Sequence, residues 1–290
     1  MDGLNAFACN YGVTILYYPM RDWVKGSGFT YQQKVNFKYL SVRYQGMIFN
    51  PSFPTLLSVP MACMVQSYHW VLAATGSTFV SAQIGALMFS VAKVMVATYA
   101  RRIGSSTQGM KAKPLYNNMA ECLRASTARY GVWSWLAGGS VVISANALWY
   151  GMTLYQLARV QPIVQQGFTE DFFISWQTHA MWAFVSAPIR NGWRTARAVT
   201  DRTPLRSWSD FVAHEKGVFT EGKNVVNSMV KEQGPIYLVR GTLRTWMKTS
   251  LPFALTYSSY RLFGGSLHRR IGEFRDANKA NSHYSRLRHE

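Results

Sequence analysis

Acidic residues are scarce in this chain, 13 Asp and Glu against 31 Lys and Arg, and they do not form the spaced carboxylate pairs that acid–base chemistry uses. The one adjacent pair, Glu170 and Asp171, stands where a helix is expected to begin, and acids there suit the helix dipole. Histidine is equally uninformative: His69, His179, His214, His268, His283 and His289 show no HExxH or paired spacing, and no Walker or Rossmann glycine loop is present. The expectation is that the chain is not an enzyme and carries no metal or catalytic cofactor. Cysteine is rare too. Cys9, Cys63 and Cys122 form no CxxC or Cys/His spacing, so reduced, structural thiols are expected. No Lys or Arg precedes Arg21, which leaves neither an Arg-rich transit peptide nor a signal-peptide n-region, and any import signal is expected to be internal.

Charge itself is missing from long stretches. Residues 3–20, 44–92, 130–158, 172–189 and 249–260 contain no Asp, Glu, Lys or Arg. A helix needs about 20 apolar residues to cross the hydrocarbon core, so the 49-residue run 44–92, broken at Ala73-Ala74-Thr75-Gly76-Ser77-Thr78, reads as two spans. Helices are predicted near 4–24, 52–73, 78–101, 133–157, 173–197 and 244–263. The sixth is the shortest in uncharged residues, only Thr249 to Tyr260, and needs Arg244 and Lys248 to snorkel or to line a polar interior. A soluble helical domain is the competing class, favoured by a mean hydropathy of −0.06 and opposed by the 49-residue run.

What is abundant is basic charge, and it is placed asymmetrically. Connectors 21–43, 93–129 and 190–248 carry five, seven and eleven Lys or Arg, whereas the opposite turns carry only Arg159. The positive-inside rule puts the three connectors in the cytoplasm or its mitochondrial equivalent, the matrix, and both termini on the other side. The net charge of +18 does not imply nucleic-acid binding, because the cations flank expected spans or sit in the tail 264–290. Ten Trp and 16 Tyr suit membrane-interface belts better than base stacking. The tail, six Lys or Arg against three acids, is expected to be held by a partner or an anionic lipid surface.

Internal spacings indicate repetition. Phe219, Gly234 and Gly241 follow Tyr116, Gly131 and Gly138 at a constant offset of 103; Pro252 and Tyr260 follow Pro60 and Tyr68 at 192; and Pro188-Ile189-Arg190-Asn191 follows Pro19-Met20-Arg21-Asp22 at 169. Three units of roughly 90 residues result, about 1–75, 76–160 and 170–263, each with two spans and a short amphipathic helix on the basic side.

On these residues the chain resembles the mitochondrial carrier family, six-helix, three-repeat transporters of the inner membrane. Phe219–Phe263 follows the family pattern most closely, with Glu232-Gln233-Gly234, Leu238-Val239-Arg240-Gly241, Pro252 and Tyr260; Tyr116–Tyr155 fits with Glu121-Cys122, Tyr130-Gly131 and Gly138; the first copy has Phe49 in place of the glycine. The resemblance implies an all-α membrane protein, a single six-helix domain over 1–263 arranged as a pseudo-threefold bundle with short helices on the matrix face. It implies kinks at Pro19, Pro60, Pro188 and Pro252, and cardiolipin or another phospholipid held at Gly138, Arg240 and Gly241. It also implies a central cavity, here vestigial, whose contact positions fall near Leu57, Asn146 and Thr249. Arg244 and Lys248 lie beside them in a stripe with Arg240 whose favoured partners are matrix phosphates and headgroups.

The departures point away from transport. Family members close their matrix side with ion pairs from three Pro-x-acid-x-x-base motifs, but the acid positions here hold Arg21 and Arg190, the basic positions hold Val24 and Trp193, and the third helix reads Val94-Met95-Val96-Ala97-Thr98-Tyr99. The opposite gate, aromatic-acid-x-x-base, reads Tyr68-His69-Trp70-Val71-Leu72, Tyr155-Gln156-Leu157-Ala158-Arg159 and Tyr260-Arg261-Leu262-Phe263-Gly264. Both networks are therefore expected to lack ion pairs, and alternating access lacks its usual means. The expectation is a transport-incompetent, carrier-like structural subunit of a larger inner-membrane complex, such as a respiratory-chain or ATP-synthase assembly. Its partners would be other subunits and phospholipid, with the termini in the intermembrane space. The alternatives are an active carrier of an unusual metabolite and a carrier-derived scaffold or insertase.

Overall fold

A computed structural model describes residues 2–27, 52–104, 119–160, 167–191, 204–239, 241–245 and 249–267. It is all-α; among these residues there is no strand. The elements are α1 (Asp2–Ser27), α2 (Ser52–Thr75), α3 (Thr78–Gly104), α4 (Met119–Tyr130), α5 (Gly139–Asn146), α6 (Met152–Val160), α7 (Phe168–Val185), α8 (Trp208–Gln233), α9 (Thr242–Thr245) and α10 (Leu251–Leu262). A π-helical turn, Ala147–Gly151, joins α5 and α6 into one rod.

Six rods abut in chain order and the order closes on itself. α1 packs on α2, α2 on α3, α3 on the α5–α6 rod, that rod on α7, α7 on α10, and α10 back on α1. Because consecutive rods alternate in direction, one end of the ring gathers Asp2, Thr75, Thr78, Val160, Phe168 and Leu262, and is called here the terminal end. α4 and α8 lie at the other, basic end, α8 resting on the start of α5 and on the 3₁₀ turn Val132–Leu136.

Small residues let the rods approach closely. Ala82, Gly85 and Ala86, at i, i+3 and i+4, present a shallow face on α3; a Cβ on Gly85 would come within 2.9 Å of the Met64 carbonyl oxygen of α2. Gly3 of α1 likewise meets the Ala62 carbonyl oxygen and the Gln66 side chain of α2. Close backbone approach of this kind is how helices associate where the solvent is itself apolar. Large apolar side chains meanwhile face outward, among them Phe79, Val80, Met88 and Met95 of α3 and Phe173, Met181, Phe184 and Val185 of α7. Among the described residues, two helical stretches, Pro54–Thr75 and Thr78–Tyr99, 22 residues each, are long and apolar enough to cross a membrane.

The second and third amphipathic segments share a succession of conformations. α4 ends at Gly131 (φ 83°, ψ 161°), a 3₁₀ turn follows, and Gly138 (φ 71°) precedes α5. α8 ends at Gly234 (φ 77°, ψ 175°), the 3₁₀ turn Pro235–Val239 follows, and Gly241 (φ 76°) precedes α9. These positive φ values are where glycine is required. The segment expected to hold the first amphipathic helix, between α1 and α2, lies outside the described residues.

Several boundaries differ from expectation. The fourth rod begins at Gly139 rather than 133, because Val132–Leu136 form a 3₁₀ turn between two positive-φ glycines. α7 starts at Phe168, ahead of 173, and ends at Val185; Ser186 closes it and a further helical turn runs over 187–191. Pro60 lies inside α2, and Pro19 within the range of α1. Pro188 follows the end of α7, and Pro252 stands in the first turn of α10, a position that a missing N–H tolerates.

Candidate functional site

Two constellations stand out along the ring, one at mid-depth and one at the terminal end. The mid-depth group is built on the π-helical turn, a rare conformation that reorients side chains within a helix. It aims Trp149 and Tyr150 inward, both buried, toward Phe89 of α3, His179 of α7 and Phe253 of α10. The ring centroids of Phe89 and Tyr150 lie 4.2 Å apart, those of His179 and Phe253 4.2 Å, those of Trp149 and His179 4.7 Å and those of Tyr150 and His179 4.9 Å. Rings from four of the six rods thus meet in the interior at this level.

Polar groups tie the same rods together. Trp149 Nε1 donates to the His179 carbonyl oxygen at 2.9 Å, and His179 Nδ1 pairs with Ser250 Oγ at 2.8 Å. Across the ring, Asn10 Nδ2 donates to the Leu57 carbonyl at 3.2 Å, while Thr256 Oγ1 donates to Asn10 Oδ1 at 3.0 Å. Two cations rest on the aromatic faces. Lys93 Nζ lies 5.1 Å from the Phe89 ring and 5.3 Å from the Tyr150 ring, and the Arg190 guanidinium lies 4.4 Å from the Trp149 ring. Each such contact is worth about 0.5–2 kcal/mol depending on desolvation. Arg190 also donates to Ser186 Oγ and to the Ala183 carbonyl, which anchors it beside the end of α7.

At the terminal end an ion pair forms with an acid outside the motif positions. Arg261 of α10 donates from Nε to Asp171 Oδ2 of α7 at 3.3 Å, with the two side chains 2% and 0% exposed. The acid that Arg261 meets, Asp171, comes from the first turn of the neighbouring rod. Asp171 is therefore a buried ion-pair partner; Glu170 beside it is exposed. The other two copies are engaged as well. Gln156 accepts from Trp182 Nε1 at 2.8 Å, and His69 Nε2 pairs with Tyr260 Oη at 3.1 Å. Arg159 lies on the face of Tyr155, 4.9 Å from the ring centre.

The same end is covered by the chain after α10. Residues 263–267 turn back on the ring, Tyr68 Oη donates to the Leu267 carbonyl at 2.9 Å, and Leu267 is 1% exposed. The remainder of the basic tail, 268–290, lies outside the described residues, so the expectation that a partner or lipid orders it has no structural counterpart here.

Of the residues singled out in the sequence, Asn146 is buried in the last turn of α5, three positions before Trp149, and Thr249 is half-buried beside Ser250. Arg240 and Lys248 lie outside the described residues, as does the side chain of Arg244. Gly138 N and Ser140 N both donate to the carboxylate of Glu215 of α8, at 2.7 and 2.8 Å. The anion seated at that helix start is thus a carboxylate of the chain itself. Sequence reasoning missed Lys93, Trp149, His179 and Glu215, none of which belongs to a short-range motif.

No protein-family model matches this chain, and no curated protein does either.

Proposed function

We propose that the chain is a six-span, carrier-like membrane protein that does not transport, and that it serves as a structural subunit of a larger mitochondrial inner-membrane complex, of the respiratory chain or ATP synthase. The observation that carries this reading is the set of side chains that meet inside the ring. Trp149, Tyr150, His179 and Phe253 occupy the interior at mid-depth, and the Arg261–Asp171 pair with Leu267 closes the terminal end. A ring plugged at two levels has little room for a substrate to move through, while its outward Phe79, Met88, Met95, Phe173 and Phe184 offer apolar surface to lipid or to neighbouring subunits. Arg240 and Gly241 are the residues proposed to contact phospholipid; at Gly138 the carboxylate of Glu215 takes that place.

Mild-detergent solubilisation of mitochondrial membranes, native-gel separation and mass spectrometry test the reading. Comigration with a respiratory or ATP-synthase complex supports it; migration alone near 32.8 kDa plus detergent contradicts it. A second reading, a carrier of an unusual metabolite, is favoured by the two cations Lys93 and Arg190 around the mid-depth rings. Uptake into proteoliposomes that Lys93→Ala abolishes would establish it.

A further inference from the structure

We propose that residues 263–267 are a built-in plug that shields the ring interior from the aqueous compartment at the terminal end. The strap begins as a Schellman turn. Gly265 N donates to the Tyr260 carbonyl at 2.8 Å and Gly264 N to the Arg261 carbonyl at 2.9 Å, with Gly264 at φ 80°. This ends α10 and reverses the chain toward the ring instead of away from it. A helix terminus needs no more than that for capping, yet Ser266 and Leu267 beyond it are also fastened.

Three side chains from three rods hold the strap. Asn5 Nδ2 of α1 donates to the Phe263 carbonyl at 3.2 Å, Tyr68 Oη of α2 to the Leu267 carbonyl at 2.9 Å, and Tyr260 Oη of α10 to the Ser266 carbonyl at 3.4 Å. The Leu267 side chain joins the same apolar cluster as Ala6, Cys9, Met64, Tyr68 and Leu72. Gly265 admits nothing larger, since a Cβ there would stand 2.4 Å from the Tyr260 ring. The strap therefore fills the α10–α1–α2 side of the opening. The Arg261–Asp171 pair lies on the α10–α7 side. The plug is independent of whether the chain joins a complex.

Cys9 reports on it directly. It is 7% exposed, and its Sγ donates to Asn5 Oδ1, the residue whose amide holds Phe263, which puts the thiol one helical turn beneath the strap. In the full chain carrying Cys63→Ser and Cys122→Ala, labelling of Cys9 by a charged maleimide is expected to be slow in proteoliposomes. Gly265→Leu is expected to speed it at least tenfold with helicity by circular dichroism unchanged, and Tyr68→Phe, which removes one hydrogen bond and keeps the ring, to give an intermediate rate. Should Gly265→Leu not fold, Leu267→Asp carries the same expectation. Fast labelling of Cys9 with the strap intact, or unchanged slow labelling in a folded Gly265→Leu or Leu267→Asp chain, would overturn the proposal.

Discussion

Arg261 Nε and Asp171 Oδ2 lie 3.3 Å apart with both side chains almost wholly withdrawn from solvent, 2% and 0% exposed, and the pair joins α10 to α7 at the terminal end of the ring. Desolvating two charges costs about as much as their attraction returns, so the net worth of the pair is small, but stranding one partner is costly. The contact fixes which faces of the two rods meet.

Removing one member is expected to destabilise the protein by about 3–5 kcal/mol, because the other charge stays buried. Arg261→Met and Asp171→Leu should each lower the unfolding temperature in detergent, measured by scanning fluorimetry. The double variant should recover much of the loss. Additive losses would mean that the two side chains act separately.

Glu215 caps α5 from a distance of 77 residues, accepting from Gly138 N and Ser140 N. Charge-assisted bonds to orphan helix amides are among the stronger hydrogen bonds in proteins, about 1.5–3 kcal/mol each. Glu215→Ala is expected to cost stability of that order and to raise amide exchange over 138–142, read by hydrogen–deuterium exchange with mass spectrometry.

Two glycines of the basic end should answer oppositely to alanine. Gly131 has φ 83° and a Cβ there would stand 2.2 Å from the Leu205 carbonyl oxygen, so Gly131→Ala forces α4 and the segment before α8 apart. Gly217, inside α8, has nothing within 4 Å of its Cβ position, and alanine there is expected to raise helix stability by about 1 kcal/mol. Thermal melts of the two variants check both signs.

Asp210 supplies the acid dependence of α8. Hydrogen bonds from the Ser207 side chain and backbone hold its pKa below the ordinary carboxylate value, in a capping box where Ser207 N donates to the Asp210 carboxylate and Asp210 N donates to Ser207 Oγ. A lowered folded pKa contributes stability that is fully present above the unfolded value, about 3.9, and is lost as the pH falls through the folded value. The start of α8 should therefore stay ordered at neutral pH and fray only below about pH 4. Asp210→Asn should flatten that dependence in amide exchange of residues 208–212.

How much of this was legible in the sequence depends on the range of the signal. The uncharged runs place α1, α2 and α3 within a few residues, and the break at Gly76-Ser77 is the turn between α2 and α3. The glycines at offset 103 share positive φ and the turn between them, because that backbone path excludes other residues. Phe263-Gly264-Gly265 carries a readable Schellman signature. The pairing of Arg261 with Asp171, 90 residues away, has no local spacing to announce it. The π-helical turn is likewise invisible in Ala147–Gly151, whose composition suits an ordinary helix; it lies where Trp149 and Tyr150 pack inward against three other rods.

The account stands most directly on the sidedness of the ring. Single cysteines at Glu121 of α4 and Glu232 of α8, both exposed, and at Ser77 in the α2–α3 turn, can be labelled with an impermeant maleimide in right-side-out and inverted mitochondrial inner-membrane vesicles. The account predicts that Glu121→Cys and Glu232→Cys label only from the matrix side and Ser77→Cys only from the opposite side. Labelling of all three from one face would contradict a membrane-spanning ring.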